Sequence, residues 1–290
     1  MIPEKGARDY EKSEHLYATH EGVELKGDLY KPVVEEEVSP ALVLIHGGGW
    51  IKGSKEKWAD WGPALARRGI ASFAVSYRLA SEDFPSYPHN LWDIASGVKF
   101  LRAKASDFGI DPSRIGMLGN SAGAHAAALL CLAGEKKKSF DSPYSNEPYH
   151  TVSPKLGVVI AISGVYDMIA QWEHDQLTRP NDHITEIYLG GDPMSIREQF
   201  YESSPIFHAS TENARGTKWL VVWGTADEIV DHETQALKLV THLRRAGATL
   251  RICELVGADH FWTEMASEEK NPYFKTILDR VENFIRSTVF

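Results

Sequence analysis

Runs of apolar, largely β-branched residues recur along the chain and alternate with helical patterns. The middle runs are continuously apolar, as expected for strands that are covered on both faces of a sheet. Residues 23–30 instead alternate between apolar and polar, which suits an edge strand. Seven runs lie at 23–30, 41–46, 70–77, 114–120, 156–163, 218–224 and 249–256, with a further candidate at 16–20.

Apolar residues spaced i, i+3, i+4 predict helices between these strands. One stripe runs from Leu91 to Ala105, and residues 231–246 form a second pattern that stops at Gly247. A third stripe, from Phe274 to Ile285, predicts a C-terminal helix. This alternation of strands and helices predicts an α/β protein with a mostly parallel sheet flanked by helices.

Two segments interrupt the alternation. Residues 134–155 are polar and turn-rich, whereas residues 166–200 are long and irregular with short helical stretches. Insertions of this length in a compact domain are usually functional or disordered. We therefore expect a single domain, residues 1–290, in which both segments are small lid-like insertions above one edge of the sheet.

Charge and composition narrow the possible partners. The chain of 290 residues carries a net charge of -9 at pH 7, which argues against nucleic acid or an anionic membrane surface. No stretch of 18 apolar residues predicts a membrane span. The N-terminal MIPEKGARDYEKSEH is polar, without the apolar core of a signal peptide. We expect a cytoplasmic protein, or one whose leader has been removed.

The residue types that bind metals are not patterned for it. Cys131 and Cys253 lie in apolar runs, which predicts two reduced core residues. The sequence contains no CxxC pair, HExxH helix or acidic calcium loop, so we expect neither a protein-bound metal nor a cofactor.

A G-x-S-x-G motif, Gly119 to Gly123, follows the apolar run RIGML and opens an alanine-rich helical pattern. This context is typical of a nucleophile elbow, a sharp strand-to-helix turn that strains the serine backbone and projects its hydroxyl outward. The two glycines allow strand and helix to approach, and the helix N-terminus favours negative charge nearby. The motif predicts Ser121 as a nucleophile.

A serine hydroxyl is a poor nucleophile without a base to take its proton. His260 comes directly after the last apolar run and is the expected base. His125, four residues beyond Ser121 on the same predicted helix, is the rival, but it lies about 6 Å further along the helix axis and suits a packing role.

The third member of such a group is a carboxylate that orients the imidazole. Asp227 is the best placed, three residues after the glycine that ends run 218–224, with Glu228 and Asp231 as competitors. Asp231 is better suited to cap the following helix. The resulting order, Ser121, Asp227 and His260, is that of α/β-hydrolases.

Three consecutive glycines follow the run at 41–46. Acyl transfer builds negative charge on a carbonyl oxygen, and preorganised backbone N–H groups are its usual stabiliser. Glycines allow bare backbone to reach a substrate, so we expect an oxyanion hole from the N–H groups of Gly48, Gly49 and Ala122. A phosphate-binding loop is the alternative, but no GK[ST] or GxGxxG follows.

Taken together, HGGGW, VSYRLA, DPSRIGMLGNSAGAH, GTADEIV and GADHFW resemble the hormone-sensitive-lipase-like branch of α/β-hydrolases. Within that branch, HGGGWIKGSK resembles the bifunctional acetylxylan/feruloyl esterase-like group. The similarity covers roughly residues 20–288 and implies an eight-stranded sheet, serine hydrolysis without a metal and an acyl-enzyme intermediate. Relatives commonly read Y-R-L-A-P-E where this chain has Ser81 in place of the proline.

These features predict a serine carboxylesterase that acts on a small-molecule ester. An amidase or aryl formamidase is the alternative, because kynurenine-formamidase-like enzymes share an H-G-G-x-W stretch. A non-catalytic, hydrolase-shaped binding protein is more remote, since such proteins tend to lose a member of the triad. A homodimer is left open.

The aromatic residues predict a small substrate pocket. We expect Trp50, Trp172 and Trp262 to contact substrate and narrow the site, which favours acetyl to butyryl esters over long chains. Arg78 follows the apolar run FAVSY, and Asp93 lies near the start of the next predicted helix. An arginine drawn into this junction needs a carboxylate with bidentate geometry, so we also expect an Arg78–Asp93 ion pair.

Overall fold

The fold is described by a computed structural model that covers residues 9–33, 38–133, 143–144, 146–264 and 271–288. Eight strands form one sheet in the order β1-β2-β4-β3-β5-β6-β7-β8. The first two are antiparallel to their neighbours and the rest are parallel. The strands are β1 (Tyr10–His20), β2 (Val23–Pro32), β3 (Ser39–Ile45), β4 (Ala71–Val75), β5 (Ile110–Asn120), β6 (Val158–Ile162), β7 (Lys218–Gly224) and β8 (Thr249–Leu255).

Helices follow most of the parallel strands and cover both faces of the sheet. Within the described residues they are α1 (Trp61–Arg67), α2 (His89–Ala103), α3 (Ala122–Ala133), α4 (Met168–Thr178), α5 (Ile184–Leu189), α6 (Arg197–Glu202), α7 (Thr211–Ala214), α8 (Ala236–Arg245) and α9 (Pro272–Ser287). This arrangement is the α/β-hydrolase fold expected from the sequence.

Successive residues of the central strands belong to two different cores. In β3, Val43 and Ile45 pack with α2, α3 and α8, whereas Leu42 and Leu44 pack with α1 and α9 on the opposite face. Side chains of a strand point alternately to the two faces. The continuously apolar runs therefore reflect a sheet that is buried on both sides.

The structure differs from the sequence predictions at the edge of the sheet and at the start of α8. The run at 16–20 belongs to the longer strand β1, which forms the edge of the sheet, so β2 is an inner strand and not an edge strand. The alternating pattern of β2 includes the polar residue Asp28, which is 1% exposed. Lys55 Nζ donates to its carboxylate at 2.8 Å and so compensates for this burial. The helix predicted at 231–246 begins only at Ala236, since Asp231 accepts from the amides of Glu233 and Thr234 in a preceding turn.

The predicted Arg78–Asp93 ion pair is confirmed. Arg78 Nη2 donates to Asp93 Oδ1 at 2.7 Å and Arg78 Nε donates to Asp93 Oδ2 at 2.9 Å. His20 Nδ1 donates to the same carboxylate at 2.6 Å, and its other ring nitrogen bonds to Glu147. Burial opposes a charge on His20, but the two carboxylates outweigh it and raise the pKa of its imidazole.

The two insertions lie in different places. Residues 166–200 form α4, α5 and most of α6, which pack over the carboxyl ends of the strands in a third apolar cluster with Trp50 and Val230. The described part of 134–155 lies beside β1 and α2, where Tyr144 stacks on His20 and Tyr149 contacts Phe100. Residues 134–142 and 145 lie outside the described residues.

None of the helices in the described ranges is long and apolar enough to cross a membrane. Within the described residues neither Cys131 nor Cys253 forms a disulfide; Cys253 is buried, whereas Cys131 is half-buried and not fully in the core as the sequence predicts.

Candidate active site

Ser121 occupies a strained turn between β5 and α3. Its φ is +52°, in the left-handed region that L-residues with side chains rarely adopt. An added Cβ on Gly119 would collide with the carbonyl of Gly123, and one on Gly123 would collide with the carbonyl of Ile45. The two glycines are therefore needed for strand, turn and helix to pass this closely, as the motif predicts.

Ser121, His260 and Asp227 form a continuous chain of hydrogen bonds. Ser121 Oγ donates to His260 Nε2 at 2.9 Å, and His260 Nδ1 donates to Asp227 Oδ2 at 2.8 Å. Each residue is at most 9% exposed, so little water competes for these contacts. The structure thus brings together the three side chains that the sequence selected from strands far apart in the chain.

Backbone contacts hold the last two members in place. Asp227 Oδ1 accepts from the amides of Ile229 at 3.1 Å and Val230 at 2.9 Å, which leaves Oδ2 for His260. The amide of Ala226 donates to the carbonyl of Ala258 at 3.0 Å, so the loops after β7 and β8 are joined. An added Cβ on Gly224 would strike that same carbonyl.

The glycine loop after β3 lies against the serine turn. The amide of Gly47 donates to Asn120 Oδ1 at 2.9 Å, and Asn120 Nδ2 donates to Thr263 Oγ1 at 3.1 Å. Asn120 therefore links this loop to the one that carries His260. Sequence reasoning missed this role, although Asn120 stands beside Ser121 in the motif.

The N–H groups of Gly48 and Gly49 have no protein acceptor in the part of the chain that the structure describes. Their φ angles are +125° and +59°, which glycine adopts without strain. An added Cβ on Gly48 would strike the carbonyl of Lys52. Gly48, Gly49 and Ala122, the first residue of α3, line the same cleft as Ser121.

The rival base, His125, does not contact the serine hydroxyl. It is fully buried, its Nδ1 accepts from Trp50 Nε1 at 3.1 Å, and its Nε2 donates to the carbonyl of Ser203 at 2.8 Å. Burial lowers the pKa of His125 to about 4. Burial likewise lowers the pKa of His46 to about 4, where its ring stacks on Tyr77.

A cleft of about 300 Å³ opens above Ser121. The glycine loop, Phe261 and the polar lid residues Gln171, Asp175 and Arg179 line it. Its apolar lining residues come from the serine turn, the chain after β6, the lid and the loop that carries Asp227, namely Ala122, Val165, Ile184, Ile229 and Val230.

Two of the three predicted tryptophans do not line this cleft. Trp50 does, beside the glycines. Trp262 is 1% exposed and packs against Trp61 in the core beneath α1 and α9, while its neighbour Phe261 takes the position on the cleft. Trp172 packs in the lid cluster, where its Nε1 donates to Glu186 Oε1 at 2.7 Å.

Sequence reasoning also missed the polar lid wall. Gln171 Nε2 donates to Asp175 Oδ1 at 2.8 Å, and the Arg179 guanidinium pairs with the same carboxylate. Gln171 and Asp175 are four residues apart on α4 and so lie on one face of the helix, and Arg179 follows four residues later, directly after its C-terminal end. The spacing of four residues can be read from the sequence. The sequence does not reveal, however, that these side chains line the cleft.

Among the described residues, no group of three or more His, Cys, Asp or Glu side chains could hold a metal ion. The groups that meet at this site are the Ser121 hydroxyl, the His260 imidazole and the Asp227 carboxylate, beside a cleft lined by Gly48, Gly49 and Ala122.

A strained serine on a strand-to-helix turn, a histidine and an aspartate after later strands, and an eight-stranded, mostly parallel sheet define an α/β-hydrolase. Within that class, the chain belongs to the BD-FAE family, whose model matches residues 27–243.

Comparison with individual proteins agrees with this assignment. The chain is 29% identical over 230 residues to "Esterase LipC" of Mycobacterium tuberculosis, which covers 77% of this chain and 53% of LipC. It therefore spans about half the length of that relative.

Solved structures share the fold. A truncated carbohydrate esterase from gut microbiota superposes with a TM-score of 0.77 at 22% identity, covering 98% of this chain and 100% of that one. An esterase from Thermogutta terrifontis, Est2, gives 0.71 at 23% identity and covers 97% and 92%.

Proposed function

We propose that this chain is a serine carboxylesterase that hydrolyses short-chain esters through an acyl-enzyme intermediate. The observation that carries the proposal is the hydrogen-bonded chain from Ser121 through His260 to Asp227. It lies on a cleft that Gly48 and Gly49, whose N–H groups have no protein acceptor among the described residues, also line. A binding protein of this shape has no need for all of these groups.

In the first half of the reaction, Ser121 Oγ bonds to the ester carbonyl carbon while its proton passes to His260 Nε2. Asp227 keeps the imidazole oriented and stabilises its positive charge. The N–H groups of Gly48, Gly49 and Ala122 bind the oxyanion. The bond to the alcohol then breaks, and the leaving oxygen takes the proton from His260 Nε2.

In the second half, water attacks the acyl group. Its proton passes to His260 Nε2 as its oxygen bonds to the carbonyl carbon. The bond between that carbon and Ser121 Oγ then breaks, and the serine oxygen recovers the proton. The carboxylic acid leaves and the site returns to its starting state.

Cleft size supports a preference for small acyl groups. A volume of about 300 Å³ is at the lower end for ligand pockets. Added methylenes gain free energy by burial only until the apolar space beside Val165, Ile184 and Val230 is full. Est2 of Thermogutta terrifontis, with the same fold, has been solved with propionate and with butyrate bound.

A series of p-nitrophenyl esters from acetyl to dodecanoyl tests both parts of the proposal. We expect the highest kcat/KM between acetyl and butyryl, a fall by octanoyl, and a loss of about 10⁶-fold in kcat for Ser121→Ala. Undiminished turnover of dodecanoyl esters would contradict the size preference. Activity that survives Ser121→Ala would contradict the nucleophile.

The same protein samples separate the remaining alternatives. We propose acetylated or feruloylated carbohydrates as candidate physiological esters, because the gut-microbiota neighbour is a carbohydrate esterase. Turnover of N-formylkynurenine above that of all esters would instead favour the formamidase. The homodimer stays a prediction, and light scattering of the purified chain measures it.

A further inference from the structure

The chain reverses direction immediately after the first oxyanion glycine. Gly49 and Trp50 have φ values of +59° and +61°, and the amide of Ile51 donates to the carbonyl of Gly48 at 3.3 Å. Positive φ at both central residues is the mark of a type I′ turn, in which Gly, Asn and Asp dominate. A tryptophan at the second position is strained, so contacts elsewhere must hold it there.

The indole of Trp50 supplies those contacts. Its Nε1 donates to His125 Nδ1 at 3.1 Å, and its ring stacks on Tyr188 of α5 with centroids 4.5 Å apart. His125 is held in turn, because its Nε2 donates to the carbonyl of Ser203 at 2.8 Å. All three rings are at most 2% exposed, so water does not replace these bonds.

His125 also belongs to the helix that carries the other oxyanion donor. The amide of His125 donates to the carbonyl of Ser121 at 3.0 Å, one helical turn from Ala122. The Trp50–His125 bond therefore fastens the glycine turn to α3. Donors from two separate loops can share one oxyanion only if their relative position is fixed.

We propose that His125 is a positioning residue of the oxyanion hole, whose Nδ1 holds the indole of Trp50 and thereby aims the N–H groups of Gly48 and Gly49. This inference rests on the proposed esterase function and deepens it. It also explains why a histidine so near the nucleophile makes no contact with the Ser121 hydroxyl.

The protonation state of His125 agrees with this role. Nε2 must carry the proton that is donated to Ser203, which leaves the lone pair at Nδ1 for the indole N–H. Because burial lowers the pKa of His125 to about 4, the ring keeps this neutral form at neutral pH.

Two substitutions of His125 separate its two hydrogen bonds. The amide of Asn reaches about as far as Nδ1 and can accept from Trp50, whereas the longer Gln reaches the position of Nε2 and can donate to Ser203. Active sites are counted with an organophosphate, and kcat and KM for an acetyl ester are then measured per titrated site. Inhibition by a trifluoromethyl ketone, which forms an oxyanion, reports the hole itself.

We expect His125→Gln to lower kcat at least about tenfold, but by less than the roughly 10²–10³-fold that the loss of an entire oxyanion-hole donor costs. Its KM should stay within about twofold of the wild-type value. Its affinity for the ketone should fall by the same factor. His125→Asn should stay within about threefold of the wild type. Trp50→Phe, which removes the indole N–H together with part of the ring that stacks on Tyr188, should lose at least as much as His125→Gln, and the double variant should lose no more than Trp50→Phe alone.

Val281→Ala is the control for general destabilisation, because Val281 lies in α9 on the opposite face of the sheet. It should lower the melting temperature without changing kcat per titrated site. Equal kcat for the Asn and Gln variants, or a wild-type kcat for Trp50→Phe, would overturn the inference alone. A wild-type protein that neither hydrolyses esters nor reacts with the organophosphate would overturn the proposed function and the inference with it.

Discussion

Replacing Asp93 with Asn tests how much the buried ion pair behind the strand ends contributes to stability. Asp93 is fully buried on α2 and accepts from the backbone amide and the guanidinium of Arg78, and from His20 Nδ1. Asn keeps the shape but removes the negative charge, and its amide adds a donor where only donors are present. The substitution therefore leaves the buried Arg78 guanidinium and the His20 imidazole without the carboxylate that both contact.

The size of the effect follows from this burial. Breaking a buried pair by removing one partner typically costs about 3–5 kcal/mol. Unfolding entropy of about 2.1 cal/mol/K per residue gives about 600 cal/mol/K for this chain, so the melting temperature should fall by about 5–8 °C. Burial opposes a charge on His20, and once Asp93 no longer offsets that burial, the pKa of the imidazole should fall from its raised position.

Calorimetry and denaturant titration at pH 7 measure the loss, with Asp107→Asn as the matched control. Asp107 forms an exposed pair with Lys104 Nζ at 3.0 Å, and such pairs contribute about 0–1 kcal/mol. Activity per titrated site should be unchanged in both variants, since neither residue lines the cleft. If Asp93→Asn lost no more than Asp107→Asn, the burial argument would be refuted.

Two further predictions concern acidity and close backbone approach. Burial lowers the pKa values of His46 and His125 to about 4. The unfolded chain therefore binds protons first, and the free energy of unfolding should fall between pH 6.5 and 4 by about 3 kcal/mol per histidine. Denaturant titrations across that range check the slope, which a flat profile would contradict. Gly123→Ala should lower stability by about 1–3 kcal/mol or more, because its Cβ would strike the carbonyl of Ile45. Gly216→Ala, with open space at its Cβ, should be nearly neutral by the same calorimetry.

Sequence patterns were sufficient wherever one local rule decided the structure. Gly119 and Gly123 are required by backbone collisions at the serine turn, so the motif alone predicts that turn. The central strands are continuously apolar because both faces are covered, so their positions along the chain could be expected, although their order in the sheet could not. Because Asp227 and His260 follow the successive strands β7 and β8, they could be expected at the carboxyl ends of the parallel strands, where Ser121 also lies after β5.

Direction within a short loop was not predictable in the same way. Trp262 is two residues from His260, and that proximity suggested a place on the cleft. The chain instead enters a 3-10 turn at Trp262–Glu264, which directs Trp262 into the core with Trp61 and leaves Phe261 half exposed at the cleft. Distance along the sequence limits how far apart two side chains lie, but not which way either one points.

Trp50 is the opposite case, because its expected place on the cleft depended on partners that no local pattern reveals. Its φ of +61° conflicts with the intrinsic preference of a tryptophan, and its contacts with Tyr188 from the lid and His125 from α3 compensate for it. Conflicts between local preference and fold are expected to cluster where function requires a fixed geometry. Ser121, at +52°, lies in the same strained region, so two of the five described non-glycine residues with positive φ line the one cleft where we propose that the oxyanion of an ester forms.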